Sequence, residues 1–295
     1  MGSANNMDGP ADAGLTFFGQ FVDHDITNDA TSSFGPKINP RSIRDAHAGA
    51  RHGLRLWRGP DATLHLYHPD RKVVRLFDRE ANPNDLARNA KGTALIGNPH
   101  NDENIIVSQI QGASIQLHNI LMSSKVGGGA MAKDVHDCAT MGIRSAVLQE
   151  AIPPSNRNFE MVRRFVRLHY QWLVLNELLP AFATERCLDL AGGGCVFGAG
   201  GAILPVEFSG ACYRFGHATV QQHYRLRPGA AEVEIFTMTG FGRRGLESDL
   251  DFQLFFGPGA QKARPVGTKM AASLLQLPAN VVSGPLQWGE VAIPP

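Results

Sequence analysis

The feature that most constrains this chain is QFVDHD at residues 20–25, where a histidine stands between two aspartates inside an otherwise apolar stretch. Around it, Leu15, Phe18, Phe21, Val22 and Ile26 recur at helical spacing, which predicts a mostly buried helix over 14–27. Burying a charge is costly without a partner. A fold that buries this helix must therefore bring partners from elsewhere in the chain. On the helix Gln20 and His24 share a face at i, i+4, whereas Asp23 and Asp25 point about 100° to either side. One imidazole and one amide can then face a cavity while two carboxylates address different neighbours. Read alone, the cluster is served equally well by hydrogen bonds to loops at a helix end.

Further helices are predicted from about Asn101, with Ile106, Ile110, Ala113, Leu117 and Leu121 on one face, and over 159–180, with Phe159, Val162, Val166, Tyr170 and Leu173. Asn101 or Asp102 can cap the first of these. A shorter helix is expected from Pro205 through His217. β content is small: a hairpin candidate over 63–77 and an alternating run at 231–239. The Gly-rich stretch 191–201 lacks the glycine spacing and following Lys-Ser/Thr of a phosphate cradle, so it reads as a loop.

Composition narrows the function classes. Hydrophobic residues are 43% of 295, which excludes a wholly disordered chain and leaves ample core for a cofactor-sized pocket. A net charge of +1 gives no electrostatic case for a nucleic-acid or membrane partner. No run of about 18 apolar residues is present, so no spanning helix is expected. The four cysteines have no zinc spacing, and free buried thiols are favoured over a Cys187–Cys195 bridge. Residues 1–14 are polar, so no secretory signal is visible and localisation is unconstrained.

Two other polar sites interrupt apolar segments. In NPHNDEN at 98–104 the helix dipole accounts for Asp102 but less well for Glu103. In RFGHATV at 214–220, His217 follows Gly216, and a glycine there lets a flat cofactor approach the backbone. Taken alone, His217 is better explained as a satisfied core histidine.

Four ordered segments change that balance: FFGQFVDHDIT, DLARNAKGTALIGNPHNDENIIVSQIQ followed by LHN, FVRLHYQWLVLNELLP, and PVEFSGACYRFGHATVQQHYRL. Together they resemble the animal haem peroxidase family of the peroxidase–cyclooxygenase superfamily, its bacterial branch in particular, over roughly residues 11–282. The resemblance implies a mainly α-helical, single-domain core around one b-type haem, with short β-hairpins. It implies His24 as the distal acid/base, Gln20 as its cavity neighbour and His217 as the proximal iron ligand. Asp23 and Glu103 match carboxylates that ester-link haem methyl groups in several members, and Asp25 matches a calcium ligand.

The chain departs from the family pattern at three places. His100 stands where the family has an arginine, and losing one preorganised donor of that kind costs about 2.7–4 kcal/mol. His100 is shorter and is expected to substitute only in part. The calcium loop is reduced to Ser42 and Asp45, short of the six or more oxygens a hard cation takes, so calcium stays an open expectation. The family's asparagine that hydrogen-bonds the proximal histidine has no counterpart before Pro295, so the core is expected to be shortened at its C-terminus.

The activity this implies is reduction of hydrogen peroxide with one-electron oxidation of a small-molecule donor. Two alternatives stand beside it. One is a degenerate haem-binding homologue with little activity. The other is a haem fatty-acid dioxygenase, although none of Tyr67, Tyr170, Tyr213 and Tyr224 has the Tyr-His-x-Trp setting of such enzymes.

Overall fold

A computed structural model describes residues 7–27, 66–68, 82–123, 159–183, 208, 211–267 and 271–275. The described part is mainly helical with one small antiparallel sheet. Its centre is α1 (Ala13–Thr27), which packs against α2 (Ile105–Ser123), against the far end of α3 (Phe159–Leu173), and against the one-turn helix α4 (Gly216–Thr219).

α1 starts where the chain runs beside the 255–263 segment. Backbone N–H groups of Ala13 and Gly14 donate to the carbonyls of Gln261 and Phe255, both at 2.8 Å, so two free donors of the first turn are satisfied by backbone. A Cβ on Gly14 would overlap the Phe255 carbonyl and the Phe256 ring, so only glycine permits this approach. Phe17, Phe18, Phe21 and Val22 are all buried, as are Thr16, Asp23 and His24. Phe17 meets Tyr224 edge-on at 5.0 Å, and Tyr170 meets Phe21 the same way at 5.9 Å. The helix is thus wrapped on nearly every side, as its apolar sequence requires.

α2 is also buried beyond the single face its periodicity marks. Ile106, Ile110, Leu117 and Leu121 are buried as expected, but so are Gln109, Gln111 and His118 on other faces. α3 behaves differently. Val162 and Val166 turn inward, while Leu168 and Trp172 are about half exposed. α3 continues through a π turn (Val174–Leu178) into a last helical turn (Leu179–Phe182). The widened turn directly precedes Pro180, whose missing N–H and bulky ring interrupt regular i→i−4 bonding.

Two predicted elements come out shorter than their sequence patterns suggest. In place of a continuous helix through His217, the described residues form a 3-10 turn (Cys212–Phe215) and then α4. The strand predicted over 231–239 is β2 (Glu232–Glu234), paired with β1 (His223–Arg225) in the register Tyr224 opposite Val233. β2 ends because the Glu234 carboxylate accepts from the Phe236 N–H at 2.9 Å, and this turns the chain into a 3-10 turn (Ile235–Thr237). Cys212 is a free thiol, but it is exposed rather than buried. Residues 63–65 and 69–77 of the hairpin candidate and the glycine-rich stretch 191–201 lie outside the described residues, as do Ser42, Asp45, Cys187 and Cys195. Among the described residues no helix is long and apolar enough to cross a membrane.

Candidate active site

One half of the site is built by the segment 98–103 lying across the end of α1. Asn98 caps a 3-10 turn (Pro99–Asp102) by accepting from the His100 N–H at 3.1 Å. Its amide also donates to the His24 carbonyl at 2.8 Å, which ties this turn to α1. Behind the turn, Arg88 grips two carboxylates at once. It donates to Asp85 at 2.8 and 3.1 Å and to Asp102 at 2.6 and 2.8 Å, with all three side chains almost fully buried. Burial alone would lower the Arg88 pKa, but hydrogen bonds and charge from Asp102 and Asp85 outweigh it and hold the guanidinium above its ordinary value. Gly240 closes the rear. Its N–H donates to the Glu103 carbonyl at 2.8 Å, and a Cβ there would overlap the Asp102 carbonyl.

On this platform His24 meets two side chains, one at each ring nitrogen. Nδ1 lies 2.9 Å from Asn101 Oδ1, and Nε2 lies 3.2 Å from Glu103 Oε1. Asn101 is fixed in turn by donating from Nδ2 to Gln111 Oε1 at 3.0 Å on α2. Gln20 Nε2 donates to the same Glu103 oxygen that faces His24. The His100 ring stands 5.7 Å from that of His24, tilted by 45°, with His100 itself exposed. Burial pushes the Glu103 carboxyl up. The hydrogen bond and charge of His24, with the Gln20 hydrogen bond and the His100 charge, outweigh it and hold the group below its ordinary value.

The other half centres on α4. His217 Nδ1 lies 2.8 Å from the Arg214 carbonyl oxygen. A carbonyl can only accept, so Nδ1 carries a proton, and in the neutral ring the lone pair is on Nε2. The side chain is exposed, while Ala218 and Thr219 beside it are buried. Thr219 Oγ1 donates to the Gly216 carbonyl at 2.8 Å and lies 3.0 Å from Thr16 Oγ1, which joins α4 to α1. Tyr213 adds a hydrogen bond to the Gly19 carbonyl at 3.2 Å.

Asp23 links the halves. Its carboxylate accepts from Arg214 Nη1 at 2.9 Å, and it lies within electrostatic reach of both His24 and His217. Burial raises its pKa above the ordinary value, against the opposing pull of Arg214, His24 and His217. Asp25 points elsewhere and accepts from the Tyr170 hydroxyl at 3.4 Å. That contact and burial together push the Tyr170 hydroxyl well above its ordinary range, burial being the larger cause.

The structure therefore brings His24, Gln20, Glu103 and His100 together and connects them through Asp23 to His217. Asp25 stays outside the group. Among the described residues no set of three or more His, Cys, Asp or Glu side chains is arranged as a cation site. A cavity of about 460 Å³ does exist, but it lies at Leu15, Phe18, Ile110, Val166 and Tyr170 and touches neither histidine. No family model matches the chain, and no curated protein matches it.

Several residues of the site carry no motif of their own. Arg214 precedes His217 by three residues, and its side chain and carbonyl serve Asp23 and His217 separately. Asn101 is predicted only as a cap of α2, a place that Asn104 takes instead by accepting from the Ile106 N–H at 2.9 Å, and Gln111 carries no signal of its own.

Proposed function

We propose that this chain is a haem peroxidase of the animal type, in which His217 would ligate the haem iron and His24 would serve as the acid/base. What carries the reading is the matched preparation of the two imidazoles. Each has Nδ1 engaged by a hydrogen-bond partner, and in His217 this leaves Nε2 free to ligate iron. The donor set suits a b-type haem: one neutral imidazole on an exposed turn, an acid/base imidazole on the opposing helix, and two carboxylates near them. Open space beside Gly216, where an added Cβ would meet nothing within 4 Å, suits a flat ring lying close to α4.

His217 would hold the iron, and Asp23 and Glu103 are the carboxylates that would reach haem methyl groups. Bound there, haem would supply the redox centre at which peroxide is reduced and donor electrons are received. The protein's own part is proton handling. His24 Nε2 would take the proton of hydrogen peroxide and return it to the oxygen that leaves as water. The net reaction is H₂O₂ plus two donors AH giving two waters and two A radicals. Gln20 and His24 both engage Glu103 Oε1, so an ester at Glu103 would require that these contacts be released.

His100 motivates a second reading, a haem-binding homologue of low activity. The family's arginine would offer a fixed cation, whereas the His100 side chain is exposed, with its ring 5.7 Å from that of His24. One series of measurements separates the two. The haem-reconstituted protein should show a Soret band, respond spectrally to peroxide and oxidise a phenolic donor. His217→Ala should lose the band. His24→Leu should keep it and lose donor oxidation by roughly 10²–10⁴-fold. A wild-type band without turnover, restored by His100→Arg, would select the low-activity reading, and no band in the wild type would overturn both.

A further inference from the structure

We infer that Asn101, anchored by Gln111, is the positioning residue that holds a proton on Nδ1 of His24 and so makes Nε2 the nitrogen that gives up and takes back protons. The inference rests on the peroxidase reading for its consequence, though not for its geometry. Two acceptors compete for the single proton of a neutral His24. Glu103 Oε1 faces Nε2 at 3.2 Å and would draw the proton there. Asn101 Oδ1 faces Nδ1 at 2.9 Å and draws it the other way. If Glu103 won, Nε2 would be an N–H donor bound to a carboxylate and could not accept a proton from a substrate.

Burial and anchoring decide the competition. Asn101 is 6% exposed and Gln111 only 1%, whereas the Glu103 side chain is 34% exposed. Water can satisfy Glu103 if His24 does not, and Gln20 already donates to it. Among the described residues His24 Nδ1 is the partner of the buried Asn101 Oδ1, while Asn101 Nδ2 donates to Gln111 Oε1 at 3.0 Å. That bond couples the two amides, so the end of Asn101 that faces the histidine goes with the orientation of Gln111, whose Nε2 is buried without a hydrogen-bond partner. Turning both amides over together would reverse the assignment, presenting Nδ2 to Nδ1 and forcing the proton onto Nε2. The two arrangements therefore predict opposite tautomers, and a spectrum can tell them apart.

The test is a long-range ¹⁵N–¹H correlation spectrum of the full-length protein without haem, labelled at histidine and recorded at alkaline pH, where imidazoles are neutral. His24 is assigned by loss of its signals in His24→Gln. The wild type should show His24 as the Nδ1–H tautomer. Asn101→Leu should move it to Nε2–H, and Asn101→Asp, which keeps an acceptor at the same place, should restore Nδ1–H. An Nε2–H wild type would overturn the inference, as would an Asn101→Leu spectrum identical to wild type. If Asn101→Leu does not fold, Gln111→Met, which releases the anchor, should still give a mixture of tautomers, and an unchanged spectrum there would count against the idea. With haem bound, Asn101→Leu should slow the peroxide reaction by about 10–100-fold with the Soret band unchanged, and Asn101→Asp should recover it. A wild type that binds haem but ignores peroxide would overturn the peroxidase reading and leave the tautomer result standing.

Discussion

His24 and His217 sit on helices that pack against each other, yet they are held in opposite ways. His24 is buried and gripped by side chains: Asn101 and Glu103 at its ring, Gln111 and Gln20 behind those, and Asn98 on its carbonyl. His217 is exposed and oriented by a backbone carbonyl three residues earlier. Under the peroxidase proposal, the difference matches what each would be asked to do. A group that exchanges protons must keep one tautomer and one angle while its charge changes, and that takes a buried polar network. A metal ligand needs one free lone pair, which a carbonyl on the same turn secures without any side chain. The half around His24 should therefore be fragile to substitution and the half around His217 robust.

The strongest way to break this contrast is at the Arg88 clamp. Arg88, Asp85 and Asp102 are each about 1–3% exposed at the side chain, so removing the cation leaves two carboxylates buried together. Arg88→Met is expected to cost about 3–5 kcal/mol, the range for breaking a buried ion pair. A lowered midpoint in chemical denaturation would report it. A cost below about 1 kcal/mol, the level of an exposed pair, would show that the platform under His24 does not depend on the clamp.

That clamp also marks the limit of what could be read from sequence. α1, α2 and α3 follow from apolar spacing, because burial of one stripe is a local property of a helix. The QFVDHD cluster stood out because charge in an apolar helix demands partners. The resemblance marks Glu103 and His100 beside it, but the partners that fix it by hydrogen bonds, Asn101 to His24 and Arg214 to Asp23, have no local signal as such. Asp85, Arg88 and Asp102 are adjacent only once the 82–98 segment folds back, and Asn101 meets Gln111 only after the 3-10 turn joins α2. α4 shows the converse failure. Its sequence continues a helical pattern, but the bond from Thr219 to the Gly216 carbonyl and the pairing of Thr219 with Thr16 close it after one turn. Long-range hydrogen bonds, unlike periodicity, leave little trace in local composition.

The half around His217 is tested by removing those bonds. Thr219 is 0% exposed and Thr16 7%, so Thr219→Val removes the buried Thr16–Thr219 hydroxyl pair and the bond to the half-buried Gly216 carbonyl, while the Thr16 hydroxyl keeps its 3.5 Å bond to the Thr219 carbonyl. The expected loss is about 0.5–1.5 kcal/mol, the net worth of an ordinary hydrogen bond. Because His217 is held by Arg214 and not by Thr219, haem titration should give an affinity close to wild type once the variant is folded. A large loss of affinity at modest loss of stability would mean that α4 is aligned by Thr219 after all, and the two halves would be less different than their contacts suggest.

The smallest effect tests the contrast by charge. Glu103, on the side of His24, has its pKa held below the ordinary value because the partners of its carboxylate outweigh burial. Its native form therefore binds fewer protons than its unfolded form between that lowered value and the unfolded one, about 4.3. Stability from Glu103 is present above this window and is lost as pH falls through the native pKa. Asp23 has the opposite sign. Burial raises its native pKa despite Arg214, so above the unfolded value, about 3.9, the native state holds the extra proton and stability falls as pH rises toward the raised value. Chemical denaturation midpoints followed from pH 3 to 6 should separate the two, those pH values being set roughly by the unfolded carboxylates. Glu103→Gln should flatten the acid-side loss, and Asp23→Asn should remove the decline at the upper end. Because both side chains retain some solvent contact, the changes in slope should be modest. If both variants shifted the profile in the same direction, the two carboxylates would share one environment, and the separation into a buried side around His24 and an open side around His217 would fail at the residue that joins them.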